Sequence, residues 1–152
     1  MLDFFAKSFE TLTAGQVYEI LKSRSEIFMI EQNIRCLDMD DVDYKSIHCF
    51  LDDGNRVVAY LRAFYDEALP DTVHIGRVLS LRHNEGLGTE LMKKSLHYIQ
   101  QEMPCAKVVL HSQAYIRGFY EKFGFNAVGA LFLEEGIEHV EMQREIFAKD
   151  CI

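Results

Sequence analysis

Gly86-Leu87-Gly88 stands where a strand hands over to a helix. The first backbone N–H groups of a helix have no partner within it. Glycines let an anion approach those groups closely, and the helix dipole favours its charge. The turn can therefore cradle a diphosphate; it can equally be a glycine-rich connection with no ligand. It is not a P-loop, because no Gly-Lys-Ser/Thr follows. Nor is it a Gly-x-Gly-x-x-Gly fingerprint, because position 91 is Leu. A second cluster, Phe119-Tyr120-Glu121-Lys122-Phe123-Gly124-Phe125, closes a short helix and enters a strand. Phe123, Gly124 and Phe125 read as an aromatic core segment with a glycine helix cap. Tyr120 is different, because a buried phenol must find a partner for its hydroxyl. The acidic run at 38–43 either attracts a cationic substrate or forms a solvated loop.

The elements that would position these residues follow from periodicity. Residues 13–31 read as one amphipathic helix capped by Thr13. Val17, Ile20, Leu21, Arg24, Ile27, Phe28 and Glu31 fall on one face of it. Strands are expected at 46–51, 56–65 and 72–81, with a hairpin turn at Asp53-Gly54. A helix spans 86–102 and ends before Pro104. A strand at 107–111, a short helix at 115–123 and strands at 127–133 and 138–146 complete the chain, with a further strand possible at 4–10. The central strand-helix-strand order requires a parallel crossover, and the hairpin before it makes the sheet mixed. The fold class is α/β (α+β).

Composition sets the limits. The 152 residues match one domain, 1–152, and are 49% apolar and 26% charged, as in a globular chain. A net charge of −8 argues against nucleic acid as a partner. No apolar run approaches the ~20 residues of a membrane span, and the N-terminus lacks the pattern of a signal peptide. Cys36, Cys49, Cys105 and Cys151 show no metal-ligand spacing and read as reduced thiols, hence a cytoplasmic location. No metal is expected.

Taken together, the Arg82-His83-Asn84-Glu85-Gly86-Leu87-Gly88 turn and the Phe-Tyr-x-x-Phe-Gly-Phe segment resemble the GNAT acetyltransferase superfamily. The chain looks like its ElaA-like branch. That likeness rests on Arg24 with Phe28-Met29-Ile30-Glu31-Gln32-Asn33, the acidic loop, His48 and Ile75-Gly76-Arg77-Val78. It rests also on Gln113-Ala114 and on Gly136-Ile137-Glu138-His139. One position departs from the family: His83 stands where Arg or Gln is usual, and Arg82 comes one place early.

The resemblance implies a mostly antiparallel sheet of six to seven strands flanked by helices, with a splayed parallel pair at the cofactor site. It implies transfer of an acetyl group from acetyl-CoA to a primary amine, by direct attack with both substrates bound. Cofactor contacts would come from Leu79, Ser80, Leu81, Arg82, His83, Glu85, Gly86, Leu87, Gly88, Thr89, Gln113, Phe119 and Tyr120. Among these, the main chain of Leu79, Ser80 and Leu81 would pair with the pantetheine and polarise the thioester carbonyl. Tyr120 would donate a hydrogen bond to the departing thiolate, or it is a packing residue. An amine of pKa near 10.4 is only about 0.1% neutral near pH 7.4, so a base is needed. Glu31 is the first candidate and is expected to point inward; the alternative is an Arg24–Glu31 ion pair. His139 follows, with His48, His74 and His111 behind it. The acceptor is expected to be cationic, and a homodimer through the C-terminal strands is open. The competing reading is an acyl-CoA-binding sensor with no turnover.

Overall fold

A computed structural model describes residues 1–146; Cys151 lies outside them. Seven strands form one sheet: β1 (Asp3–Ser8), β2 (Ile47–Asp52), β3 (Val57–Tyr65), β4 (Thr72–Ser80), β5 (Lys107–Gln113), β6 (Asn126–Glu134) and β7 (Ile137–Glu145). Their spatial order is β1-β2-β3-β4-β5-β7-β6. Only β4 and β5 run parallel; every other neighbour is antiparallel. This is the mixed α/β architecture expected from the sequence.

The helices are α1 (Ala14–Arg24), α2 (Leu87–Glu102) and α3 (Arg117–Glu121). They cover the sheet from two sides. Cys49, Leu51, Ala59 and Leu61 share one core cluster with Leu91, Leu96 and Ile99 of α2. Phe50, Tyr60 and Leu79 share another with Ile20 and Ile27. Alternate side chains of β2 and β3 therefore serve opposite layers, as a pleated strand requires. This explains why β3 is buried from Val57 through Ala63 and is apolar there at every position but Arg62. Thr13 caps α1 as expected: its hydroxyl accepts from the Gln16 amide, and the Gln16 side chain accepts from the Thr13 amide.

The helix expected across 13–31 is not uniform. It is α-helical only to Arg24, and Ser25–Glu31 continues as a π-helix. Each residue of a π-helix turns the chain by less than the ~100° of an α-helix. Over seven residues that lag carries Glu31 off the face shared by Arg24 and Ile27. Arg24 and Ile27 are buried, and Glu31 is exposed. The expected inward Glu31 and its pairing with Arg24 are therefore not what the chain forms.

Arg24 instead bonds Asp38 at 2.9 Å and Asp43 at 2.7 Å, with no exposed surface of its own. Arg62 of β3 reaches Asp40 at 2.7 Å and Asp43 at 3.0 Å. Arg77 of β4 holds Asp38 at 2.9 Å and Asp40 at 3.4 Å. The acidic run is thus mostly a tie between α1, β3 and β4 rather than a solvated loop. Burial opposes the charge on Arg24, yet its hydrogen bond to Asp43 and the nearby carboxylates raise its pKa. His48 also belongs to this cluster. Its Nε2–H donates to the Asp43 carbonyl at 2.9 Å and its Nδ1 accepts from the Tyr60 hydroxyl at 2.7 Å. Burial lowers the His48 pKa, in keeping with this neutral tautomer.

Two outcomes follow. Arg24→Met takes from Asp38 and Asp43 one of the two arginines that each holds, leaving Arg77 and Arg62 in place, and should cost about 1.5–3 kcal/mol in urea denaturation. The hydrogen bond from Arg62 lowers the Asp40 pKa to about 2, and Asp43 is lowered by Arg24 and Arg62 against its burial. Both lie below the unfolded value near 3.9. Their contribution is complete above that value and should disappear as pH falls toward 2, measured as a drop in unfolding free energy.

Candidate functional site

The site begins where β4 cannot satisfy two neighbours. Parallel pairing with β5 runs from Thr72↔Lys107 only to Ile75↔Leu110. Beyond that point β4 stays with β3, through Leu79↔Tyr60 and Ser80↔Ala59. Meanwhile β5 stays with β7, through His111↔Glu141 to Gln113↔His139. An extra residue in β4 bulges against β3 between Gly76 and Leu79, and Arg77 there takes a left-handed φ of 52°. Its guanidinium is held by Asp38, so the bulge is anchored as well as bent.

The parting strands open a cavity of about 190 Å³. Gly76, Arg77 and Val78 line it from β4, and Leu110, His111 and Gln113 from β5. Tyr120, His139, Glu134, Gln32, Cys36 and Asp38 also face it. Tyr120 is buried, edge-on to Phe119 at 5.1 Å and to Phe125 at 6.2 Å. Its hydroxyl has no hydrogen-bond partner among the described residues. Burial pushes its pKa up, so the phenol keeps its proton and can only donate or accept a hydrogen bond.

His139 is buried and stacks on Phe132. Its Nδ1–H donates to the Ile137 carbonyl at 2.7 Å, which leaves Nε2 as the basic nitrogen. Nε2 lies 3.7 Å from Glu134. Glu134 also bonds His111 Nδ1 at 3.0 Å; that bond raises the His111 pKa and lowers that of Glu134. His74 is elsewhere, bonded to Asp66 at 2.7 Å. Gln113 donates to the Gln32 side chain at 3.3 Å, across the mouth of the cavity.

Along the chain from β4, Ser80 Oγ donates to the Arg82 carbonyl and the Leu81 amide donates to Val58. Gly86 caps α2 with φ 75° and no side-chain cap, so the amides of Leu87, Gly88 and Thr89 stay available. The two glycines differ. A Cβ at Gly86 meets nothing within 4 Å, so the space is open to a ligand. A Cβ at Gly88 would stand 3.3 Å from the Phe119 ring, so Gly88 lets α3 sit against α2. Arg82 is drawn to Asp53 at 3.6 Å and Glu85 at 3.4 Å. His83 meets Glu31 at 3.0 Å. Glu31 thus faces the α2 turn, not the cavity that holds Tyr120 and His139.

Comparison with known proteins decides the family. A family model described as "Acetyltransferase (GNAT) domain" matches residues 31–146. The chain belongs to the GNAT acetyltransferase family. Within it the chain falls in the ElaA-like branch. Protein ElaA of Escherichia coli is 34% identical over 140 residues, covering 89% of this chain and 91% of that protein. A UPF0039 protein of Schizosaccharomyces pombe is 35% identical over 149 residues, covering 95% and 98%. The crystal structure of Escherichia coli ElaA superposes with TM-score 0.89 at 31% identity, covering 95% of this chain and all of that one. An acyl-CoA N-acyltransferase of Pseudomonas aeruginosa gives 0.87 at 31% identity, covering 95% and 99%. The chain is thus an acyltransferase of GNAT type. Among the described residues no His, Cys, Asp or Glu cluster is arranged for a metal ion, and no helix is long and apolar enough to cross a membrane.

Residues that matter here without a local signal are Arg77 and Glu134. The sequence marks Arg77 only as part of a motif; its role appears once Asp38, 39 residues away, closes on it. Glu134 becomes visible only when the β6–β7 hairpin sets it beside His111 and His139. Separate glycine roles are testable. Gly86→Ala should cost about 1–2 kcal/mol from its left-handed backbone alone. In a double-mutant cycle, Gly88→Val should couple with Phe119→Leu, whereas Gly86→Ala should add independently, both read by chemical denaturation.

Proposed function

We propose that the chain is an acetyl-CoA-dependent N-acetyltransferase, working as one domain, that acetylates a primary amine by direct attack in a ternary complex. The observation that carries this reading is the wedge between β4 and β5 with a Tyr120 hydroxyl inside it that has no partner among the described residues. The chain offers what acyl-CoA needs. Uncapped amides begin α2, space is open over Gly86, and β4 has an unpaired edge beyond Ile75. When bound, acetyl-CoA supplies an activated thioester carbonyl.

The remaining work falls to the chain. The amides of Leu87, Gly88 and Thr89 hold the diphosphate, with Glu85 turned to Arg82. Main-chain groups of Leu79 and Ser80 orient the pantetheine, the Leu81 amide being held by Val58, and a β4 amide faces the developing oxyanion. Gln113 closes the opposite edge. Tyr120 donates a hydrogen bond to the leaving sulfur; its raised pKa makes full proton transfer uphill, so the bond strengthens as charge develops. His139 Nε2 takes the proton of the incoming ammonium. Glu31 bears on the turn through His83 rather than on the amine.

The acceptor is cationic in this reading, favoured by Glu134 and Glu135 on the cavity wall and by the net charge of −8. The protein is cytoplasmic, and it pairs as a homodimer through the C-terminal hairpin, whose outer strand β6 is exposed at all but Phe132. A second reading, an acyl-CoA sensor without turnover, draws on one observation. Arg82 and His83 are already engaged by carboxylates, so the turn adds no unpaired cation for tight binding.

Release of free thiol from acetyl-CoA in the presence of an amine panel separates the two. Tyr120→Phe should lower kcat about a hundredfold while leaving CoA affinity unchanged. Equal rates would remove Tyr120 from the chemistry. The phenol stays protonated through pH 9, so the alkaline side of the rate profile should be the same in both proteins.

A further inference from the structure

A second cavity, of about 390 Å³, lies between α2, α3 and β7. Lys93 and His97 reach it from α2, Lys122 from the residue after α3, and Arg144 from β7. None of the four side chains has an ion pair or hydrogen bond among the described residues. That is notable on a chain of charge −8, where Arg24, Arg56, Arg62, Arg77 and Arg82 are each matched to carboxylates. Leu96 and Phe123 add apolar surface beside the cations. Among the described residues no carboxylate lines the cavity, and Glu90 on the same helix is taken by Lys94 at 3.2 Å.

Position gives this cavity a meaning. Lys93 follows Leu87 by six residues, about 9 Å of helix. Phe123 packs on Phe119 at 5.2 Å, and Phe119 abuts Gly88. The basic cavity therefore begins about 9 Å along α2 from the amides assigned to the diphosphate, on the side where α3 packs. The turn itself has no unpaired cation to give, because Arg82 and His83 are spoken for. Coenzyme A carries, one ribose away from its diphosphate, a phosphate monoester of about −1.5 to −2 charges at neutral pH. We infer that Lys93, Lys122 and Arg144 seat this 3′-phosphate and supply the cationic contact that the turn lacks. The inference rests on the acyl-CoA reading above. Its chemistry is that of charge-assisted hydrogen bonds to phosphate oxygens, with Arg144 able to bind two at once.

Titration calorimetry with coenzyme A and with dephospho-coenzyme A, which differs only by that phosphate, tests it. The unaltered chain should bind coenzyme A roughly tenfold tighter, and the gap should narrow as salt is raised. Lys122→Gln and Arg144→Gln should each shrink the gap while leaving dephospho-coenzyme A affinity unchanged. Lys94→Gln, outside the cavity, should keep the full gap. Equal affinities in the unaltered chain, or a gap that survives in the Lys122 and Arg144 variants, overturns the assignment. So does a gap that closes as much in Lys94→Gln, because the effect is then one of overall charge. Binding of neither compound overturns the acyl-CoA reading itself, and the phosphate seat with it.

Discussion

A strand has two edges, and β4 gives one of them up. After Ile75 its hydrogen bonds go to β3 alone, while β5 turns to β7. A buried sheet does not leave main-chain groups without partners unless something else takes them. The extra residue at the bulge and the left-handed backbone of Arg77 make the parting local and abrupt. Everything assigned to the site is arranged around that gap. Tyr120 and His139 approach from the β5–β7 side, and the loop carrying Gln32, Cys36 and Asp38 approaches from the other.

What fixes the walls of the gap is a set of partly buried charges. Asp38 lies between Arg24 and Arg77, Asp40 between Arg62 and Arg77, and Asp43 between Arg24 and Arg62. Each carboxylate has two arginines, and each arginine two carboxylates. Such an arrangement returns little net stability compared with apolar packing, since desolvation offsets much of the attraction. It does fix positions. The segment after the π-helix has few other hydrogen bonds to the body of the fold, and its wall of the cavity is set largely by these pairs.

How much of this was readable from the chain depends on distance along it. Local features were clear. Thr13 and Gln16 are three residues apart and make the expected capping box. The run at 56–65 marked β3 as a strand, and the glycine turn marked the start of α2. The π-helix was not readable, because Ser25–Glu31 contains no Gly or Pro and its apolar spacing fits an α-helix equally well. That single change of pitch moved Glu31 from an expected inward base to a partner of His83. The charge network joins residues 14 to 39 apart, and no local pattern reports such pairings. Nor could spacing distinguish Gly86, needed for its backbone angle, from Gly88, needed for clearance under Phe119.

The contact between Gly88 and Phe119 has a mechanical side. Phe119 precedes Tyr120, and Gly88 belongs to the first turn of α2. The turn proposed to hold the nucleotide end and the short helix that places the phenol therefore touch directly. At that turn α2 bears on the Phe119 ring, which in turn sits edge-on against Tyr120. On the acyl-CoA reading, cargo that seats imperfectly at its far end leaves the reactive end misaligned, so selection of the whole carrier follows from the spacing of its two ends.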